Sequence, residues 1–304
     1  MGRGQVAANG IGTDGEDLVE TAWRFVGGDA YQAYVAHPAY GDCARRTLGN
    51  WALKVREYAR IERSLRDLTH WLAAEGAVTL AAEPAGLTAD TLERVLLELN
   101  VASRGRGGLL LAYLQYLKLI EPLPDGGGKG RHRRHGPTAE LTGFMTLRYQ
   151  RDLEAMAPLD PAAREVLARW ETPGLFDRLM AAGRPLAVCS ARYRAPREAS
   201  LELIAERNFG LTILGQILLT DDDGGAFPRR GLVRLNLVDI ARRSGAERYQ
   251  VIRILKLGRK HRLILDQDDG AVVFAPGLIE RMERVLGMYW RGLAWRSRQA
   301  LDWT

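Results

Sequence analysis

Residues 235–264 read LNLVDIARRSGAERYQVIRILKLGRKHRLI, and their pattern decides the fold. Leu237, Ile240 and Ala241 recur at helical spacing and mark one short amphipathic helix. Gly245 ends it, because glycine takes left-handed backbone angles at little steric cost. A second amphipathic helix follows, with Val251, Ile254, Leu255 and Gly258 on one face. Arg248, Tyr249, Gln250, Arg253, Lys256 and Lys260 cover the rest of its surface. The Ala241-x-x-x-Gly245 spacing fits a tight joint: the small residue lets the second helix pack close, and the glycine lets the chain turn. Two short helices joined in this way, the second of them cationic, form a helix-turn-helix.

The flanks extend the pattern. Leu232, Val233 and Arg234 are expected as an opening strand, Leu263 to Leu265 as a second, and Ala271 to Phe274 as its return. The Asp269-Gly270 pair between the last two is a hairpin signal. Strand, helix, helix, strand, turn and strand in that order make a winged helix. Here, over roughly residues 230–275, the chain resembles the winged helix-turn-helix DNA-binding domains of bacterial transcription regulators. One residue departs from that family: Glu247 opens the second helix where such domains usually carry Ser or Thr. Glutamate suits the positive end of a helix dipole, yet next to DNA it repels phosphates.

The whole chain has 304 residues, enough for two domains, with 46% hydrophobic and 26% charged residues, as in ordinary soluble globular proteins. The net charge of +6 permits nucleic-acid binding without establishing it. Cys43 and Cys189 are far apart and fit no metal or redox spacing, which predicts two reduced thiols. No apolar run approaches the roughly 20 residues of a membrane span, and no signal peptide is visible at the N-terminus, so no membrane partner is expected and a cytoplasmic, nucleoid-associated location is.

A second unit of the same kind is expected at about residues 78–140. Val78 to Leu80 form a short strand, Thr88 caps a helix through Leu96, Leu97 and Leu99, and Asn100 stands where Gly245 stands later. Ser103 caps the next helix, whose apolar face is Leu110, Leu111, Leu114 and Leu117. Laying Ser103 on Glu247 brings Leu110–Leu111 over Ile254–Leu255 and Leu119–Ile120 over Leu263–Ile264 without a gap, the mark of an internal duplication. Gly105, Gly107 and Gly108 conflict with helix formation at about 1 kcal/mol each; either they permit close approach to DNA or the helix starts only near Leu109. The segment DGGGKGRHRRHG (125–136) occupies the wing position, and its Lys129, Arg131, Arg133 and Arg134 suit phosphate contact or a narrow minor groove. His132 and His135, set among arginines, are a poor metal ligand set. The other wing carries Asp266, Asp268 and Asp269 and is not expected to grip phosphate.

The remaining elements are expected as follows. Residues 1–15 form a disordered leader, and Glu16 to Ala36 two short helices ended by His37-Pro38. A single long helix covers about Thr47 to Ala74, with Tyr58, Ile61, Leu65, Leu68 and Leu72 on a seam that packs on its own domain or on a second copy, and Gly76 ends it. Helices run from Thr138 to Met156, Pro161 to Trp170 and Leu175 to Ala182; residues 183–197 form a polar interdomain connection; and Pro196 or Glu198 opens a helix through Leu218. The organisation is then an N-terminal region at 16–157, a helical connector at 158–197 and a second module with flanking helices at 198–304. The C-terminal helix from Pro276 carries Ile279, Met282, Leu286, Tyr289 and Leu293 on one stripe, with Trp290, Trp295 and Trp303 adding apolar area. Such a helix needs a partner, either a second copy in a homodimer or the rest of its own chain.

No G-x-x-x-x-G-K-[ST], G-x-S-x-G or H-E-x-x-H pattern occurs, so no enzyme and no cofactor is expected. Gly126–Gly130 with Lys129 lacks the spacing and the hydroxyl of a nucleotide-binding loop. The resulting expectation is a mainly α protein with two winged helix-turn-helix modules bearing small β-hairpin wings, linked and flanked by long helices. It binds double-stranded DNA sequence-specifically in transcriptional control. Arg248, Tyr249, Gln250 and Arg253 read base edges; Arg242, Arg243, Lys256, Arg259 and Lys260 hold phosphates; Ser103, Arg104 and Arg106 serve the first module. The alternatives are a plasmid-type replication initiator, whose members resemble this two-module layout, and a winged-helix scaffold for protein contacts. Nothing in the residues marks a small-molecule effector.

Overall fold

A computed structural model describes residues 13–52, 56–99, 101–124, 128–192, 199–222, 224–267 and 270–302. The protein is mainly helical, with two small antiparallel sheets. The first elements are α1 (Thr13–Val26) and α2 (Gln32–Val35). The expected leader overlaps α1 by three residues, and the rest of it (1–12) lies outside the described residues.

The single long helix expected at 47–74 is instead three elements: α3 (Tyr40–Trp51), α4 (Ala59–Ser64) and α5 (Leu68–Ala81). The breaks have local causes. Asp67 takes an extended backbone and its carboxylate accepts from His70 N at 3.0 Å, so it starts a new helix instead of continuing an old one. Gly76 does not end α5, and Val78 to Leu80 are helical rather than a strand. Every residue from Ala73 to Leu80 except Glu75 is buried, so α5 is a central helix, apolar nearly all round, and an apolar triplet in it carries no strand information.

Next come α6 (Ala89–Glu98), α7 (Arg106–Tyr116), β1 (Ile120–Pro122), β2 (His135–Pro137) and α8 (Ala139–Met156). The strands β1 and β2 pair antiparallel, and Leu87 bridges His135 on the outer side of β2. Then follow α9 (Pro161–Ala168), with Pro161 in its first turn, α10 (Leu175–Ala181) and α11 (Arg184–Arg192). The polar connection expected at 183–197 is thus helical as far as Arg192, and residues 193–198 lie outside the described residues. The helix forms because its inner face has a partner. Val188 and Cys189 join Val19, Ala22 and Trp295 in a small separate core, with the Cys189 thiol donating to Val19 O at 3.0 Å.

The helix expected through Leu218 divides into α12 (Ala199–Ala205) and α13 (Gly210–Leu218). Phe209 sits at φ 58°, and a Cβ on Gly210 would lie 1.7 Å from Ile204 O, so the chain reverses too tightly there for a continuous helix. The last elements are β3 (Val233–Arg234), α14 (Leu237–Ser244), α15 (Arg248–Lys260), β4 (Ile264–Asp266), β5 (Ala271–Phe274) and α16 (Pro276–Asp302). Their sheet has the order β3-β5-β4, all antiparallel.

Two helices, a hairpin and a long helix therefore occur twice. The second helix and the first hairpin strand correspond at a shift of 144 positions, and the return strand at 137, the first hairpin being seven residues longer. Leu119 N donates to Leu114 O and Leu263 N to Gly258 O; Thr138 N donates to Leu119 O and Ala275 N to Leu263 O. Lys118 and Arg262 take left-handed angles, φ 56° and 53°, at the same joint between helix and strand. Upstream the units differ. Seven residues separate α6 from α7, but three separate α14 from α15.

The helix α16 decides the tertiary arrangement. It packs against α1, α2, α9 and α10, all from the first two thirds of the chain. Ile279, Met282, Leu286, Trp290 and Leu293 are buried; the Trp290 indole N–H donates to Thr47 Oγ1 at 3.0 Å. Tyr289 donates its hydroxyl hydrogen to Asp152. This corrects the dimer stripe: Ile279, Met282, Leu286, Tyr289 and Leu293 are covered by their own chain, which leaves no face there for a second copy. Trp295 is likewise buried, and Trp303 lies outside the described residues.

Three carboxylates, Asp152 and Asp160 buried and Glu75 half-buried, fasten α16. Asp152 meets Arg148 at 2.9 Å as well as Tyr289; Glu75 meets Arg296 and the Tyr149 hydroxyl, each at 2.6 Å; Asp160 meets Arg298 at 3.0 Å and the Tyr34 hydroxyl at 2.5 Å. Removing one partner from such a pair leaves a buried charge uncompensated, so these clasps fix one position for the helix. Among the described residues, no helix is long and apolar enough to cross a membrane.

Candidate nucleic-acid interface

In the second unit, sequence places the cations and local capping aims them. Asn236 accepts from Asp239 N at 3.1 Å and starts α14; Gly245, at φ 70°, ends it. The turn is closed by Ala246 N donating to Ala241 O at 3.1 Å, with Ala241 buried beneath. The helix α15 then buries Val251, Ile254, Leu255 and Gly258. A Cβ at Gly258 would come within 2.8 Å of Ile264 Cδ1, so glycine here seats β4 against the helix. The opposite side presents Arg248, Tyr249, Arg253, Lys256 and Lys260 to solvent, and Tyr249 is 58% exposed.

These candidate cations fall into two groups. Among the described residues, Arg248, Arg253, Lys256 and Lys260 have no carboxylate partner. Arg242 and Arg243 both pair with Asp239, Arg243 at 3.0 Å, and these pairs hold the Asp239 carboxyl below its ordinary range. Arg259 is held by Asp266 through two nitrogens at 2.8 and 2.7 Å. Asp266, at the end of β4, therefore acts on the neighbouring helix α15. Asp268 and Asp269, which completed the expected acidic wing, lie outside the described residues. Gln250 is also engaged: its Oε1 accepts from Glu247 N at 2.7 Å, so glutamate opens α15 with the next-turn glutamine as its clasp. An adenine contact by Gln250 requires giving up that bond.

In the first unit the glycines have a structural reason. The N-cap is Gly105, at φ 81°, not Ser103, and α7 runs from Arg106. A Cβ at Gly107 would lie 2.4 Å from Glu93 Cβ and 2.5 Å from its Cα. Gly107 thus lets α7 cross α6 at backbone distance, and neither sequence expectation, approach to DNA or a late helix start, accounts for it. Asn100, expected at the turn, lies outside the described residues.

The outward face of α7 differs in chemistry from that of α15. Where α15 has Arg253, Lys256 and Lys260, the residues 144 positions earlier are Leu109, Ala112 and Tyr116, all exposed, Leu109 by 72% and Tyr116 by 83%. Ser103, Arg104 and Arg106 are exposed at its N-terminal end, and the two arginines make no ion pair among the described residues.

The basic wing is partly neutralised. Arg131 bridges Asp90 at 2.6 Å and Glu93 at 2.9 Å, and His132 Nδ1 lies 3.0 Å from Asp90. These bonds hold the Glu93 carboxyl below the usual carboxylate range. Arg134 is half-buried over Gly86, where a Cβ would meet its guanidinium at 2.4 Å. Lys129 and Arg133 remain exposed, with no ion-pair partner among the described residues, and 125–127 lie outside those residues. His135 is buried at the base of the wing, with Gln115 Nε2 at 2.9 Å from its Nε2, and desolvation lowers its pKa. Among the described residues, no group of three or more His, Cys, Asp or Glu is placed to hold a metal ion. For Arg242 and Arg243 the signal was present in the sequence as Asp239, one helical turn away; for Arg131 it was not, because Asp90 and Glu93 lie 41 and 38 residues earlier.

No protein-family model, no curated protein and no solved structure matches the chain.

Proposed function

We propose that the protein binds duplex DNA through two winged helix-turn-helix modules in one chain and acts as a sequence-specific transcriptional regulator. One observation carries the reading. Four cations with no ion-pair partner among the described residues, Arg248, Arg253, Lys256 and Lys260, share the exposed side of a helix that follows a tight glycine turn and precedes a hairpin. A major groove about 12 Å wide admits such a helix. Arg248 and Arg253 are then the base readers, Tyr249 an apolar or hydroxyl contact, and Lys256 and Lys260 the phosphate contacts. Lys129 and Arg133 of the first hairpin, with Arg104 and Arg106, extend the cationic surface.

A second reading applies to the first unit, favoured by Leu109 and Tyr116 on the outward face of α7. An apolar, aromatic outer face suits a protein partner or thymine methyl groups better than phosphate. On that reading the first unit is the scaffold and the second unit the reader.

The test is selection of random genomic duplex fragments by the full chain. Enrichment of a few fragments, lost in Arg248→Gln/Arg253→Gln with the circular dichroism spectrum retained, supports the proposal. Failure to bind any fragment at low salt refutes it.

A further inference from the structure

A cavity of about 1020 Å³ lies between α5, the turn after α14, and α16. That is at the upper end of the ~300–1,000 Å³ typical of small-molecule sites. Its walls are mainly apolar, with Trp71, Leu72, Phe144, Val285 and Met288 among them. A protein interior ordinarily closes such a volume, so an apolar cleft of this size is a place for an apolar body.

The charges around it do not balance. Seven arginines and four carboxylates line the cavity. Arg148, Arg184 and Arg296 are taken by Asp152, Glu98 and Glu75, and Asp67 is taken by His70 at 2.7 Å. Among the described residues, Arg63, Arg66 and Arg207 have no carboxylate partner, and all three are exposed, which places them at the mouth. Phe209 N donates to Arg66 O at 2.5 Å, which brings the segments carrying Arg66 and Arg207 side by side. Two guanidinium groups without counterions, beside an apolar cleft, form a head-and-tail arrangement.

We propose that this cavity binds an amphipathic anion: an aliphatic body seated among the aromatic walls and a carboxylate head on Arg66 and Arg207. A guanidinium presents paired donors that match a carboxylate's two oxygens. The cavity is lined by Val95 and Leu99 of the first unit and Ser244 and Gly245 of the second, so the ligand touches both helix pairs. The site stands independently of the DNA reading.

Isothermal titration of the full chain with dodecanoate tests it, with dodecyltrimethylammonium as a probe of equal chain and opposite charge. Saturable one-to-one binding of dodecanoate is expected. Losing a charge-assisted contact weakens binding by about tenfold or more, so Arg66→Gln/Arg207→Gln and the cationic probe should both show that loss. Ala187→Trp, which fills the cavity from α11, should weaken binding similarly, while the surface double variant guards against a folding defect. No saturable heat, equal affinity for the cationic probe, or undiminished binding by the double arginine variant would each overturn the proposal.

Discussion

Free and ion-paired cations on one helix should differ in what they contribute to DNA binding, and salt dependence measures the difference. Lys256 and Lys260 are exposed and have no carboxylate partner among the described residues, whereas Arg259 is held by Asp266 at 2.8 and 2.7 Å. Each phosphate neutralised on duplex DNA contributes about −0.9 to the slope of log K against log salt concentration. Replacing both lysines, Lys256→Gln/Lys260→Gln, should therefore make the slope shallower by about 1.8. A fourfold rise in salt then weakens the variant by about 12-fold less than it weakens the parent chain. Arg259→Gln removes a charge already neutralised, so its slope should change by less than about 0.5. Fluorescence anisotropy of a labelled duplex at several salt concentrations measures all three. Coincident slopes for the parent and the lysine variant would show that α15 does not lie on phosphates. A slope change at Arg259 as large as that of the double variant would show that ion pairing in the free chain does not predict the interface.

Other outcomes follow from packing and protonation. Gly107→Ala should destabilise by about 1–3 kcal/mol, because its Cβ would lie 2.4 Å from Glu93 Cβ, whereas Gly108→Ala, with its nearest neighbour the end of Arg131 at 3.7 Å, should stabilise by about 0.5–1 kcal/mol; urea unfolding compares them. Trp290→Ala empties a fully buried site and orphans the Thr47 hydroxyl, with an expected cost of about 3–5 kcal/mol by the same method. His135 has a folded pKa below its ordinary value because burial disfavours the cation, so the unfolded chain binds the proton first as pH falls. Stability should decline from about pH 6.5 downward until the folded pKa is reached, and His135→Gln should flatten that part of the profile.

Local pattern carried the second unit almost completely. Apolar spacing, Gly245 and the Asp269-Gly270 pair located α14, α15 and the hairpin strands to within a residue or two, because these features act through neighbours close in sequence. The segment from Thr47 to Leu80 was misread because its seam was real but its continuity was not: Asp67 restarts the helix, and burial on all sides of α5 erases amphipathic contrast. The covering of α16 was beyond local reading, since its partners Thr47, Glu75, Asp152 and Asp160 are more than 100 residues away. The candidate site divides in the same way. Exposure of the α15 cations follows from helical periodicity, while neutralisation of Arg131 by Asp90 and Glu93 requires the hairpin to fold back over α6.

The helix α16, about 40 Å long at 1.5 Å per residue, gives this protein a particular order of completion during synthesis. Thr47, Glu75, Asp152 and Asp160 leave the ribosome long before Tyr289, Trp290, Arg296 and Arg298, the groups that satisfy them. Until those late residues arrive, the early helices hold carboxylates and apolar surface for a neighbour not yet made. A nascent chain stalled before Pro276 is then a natural client for a chaperone, and the early helices become fully native only once α16 has been made.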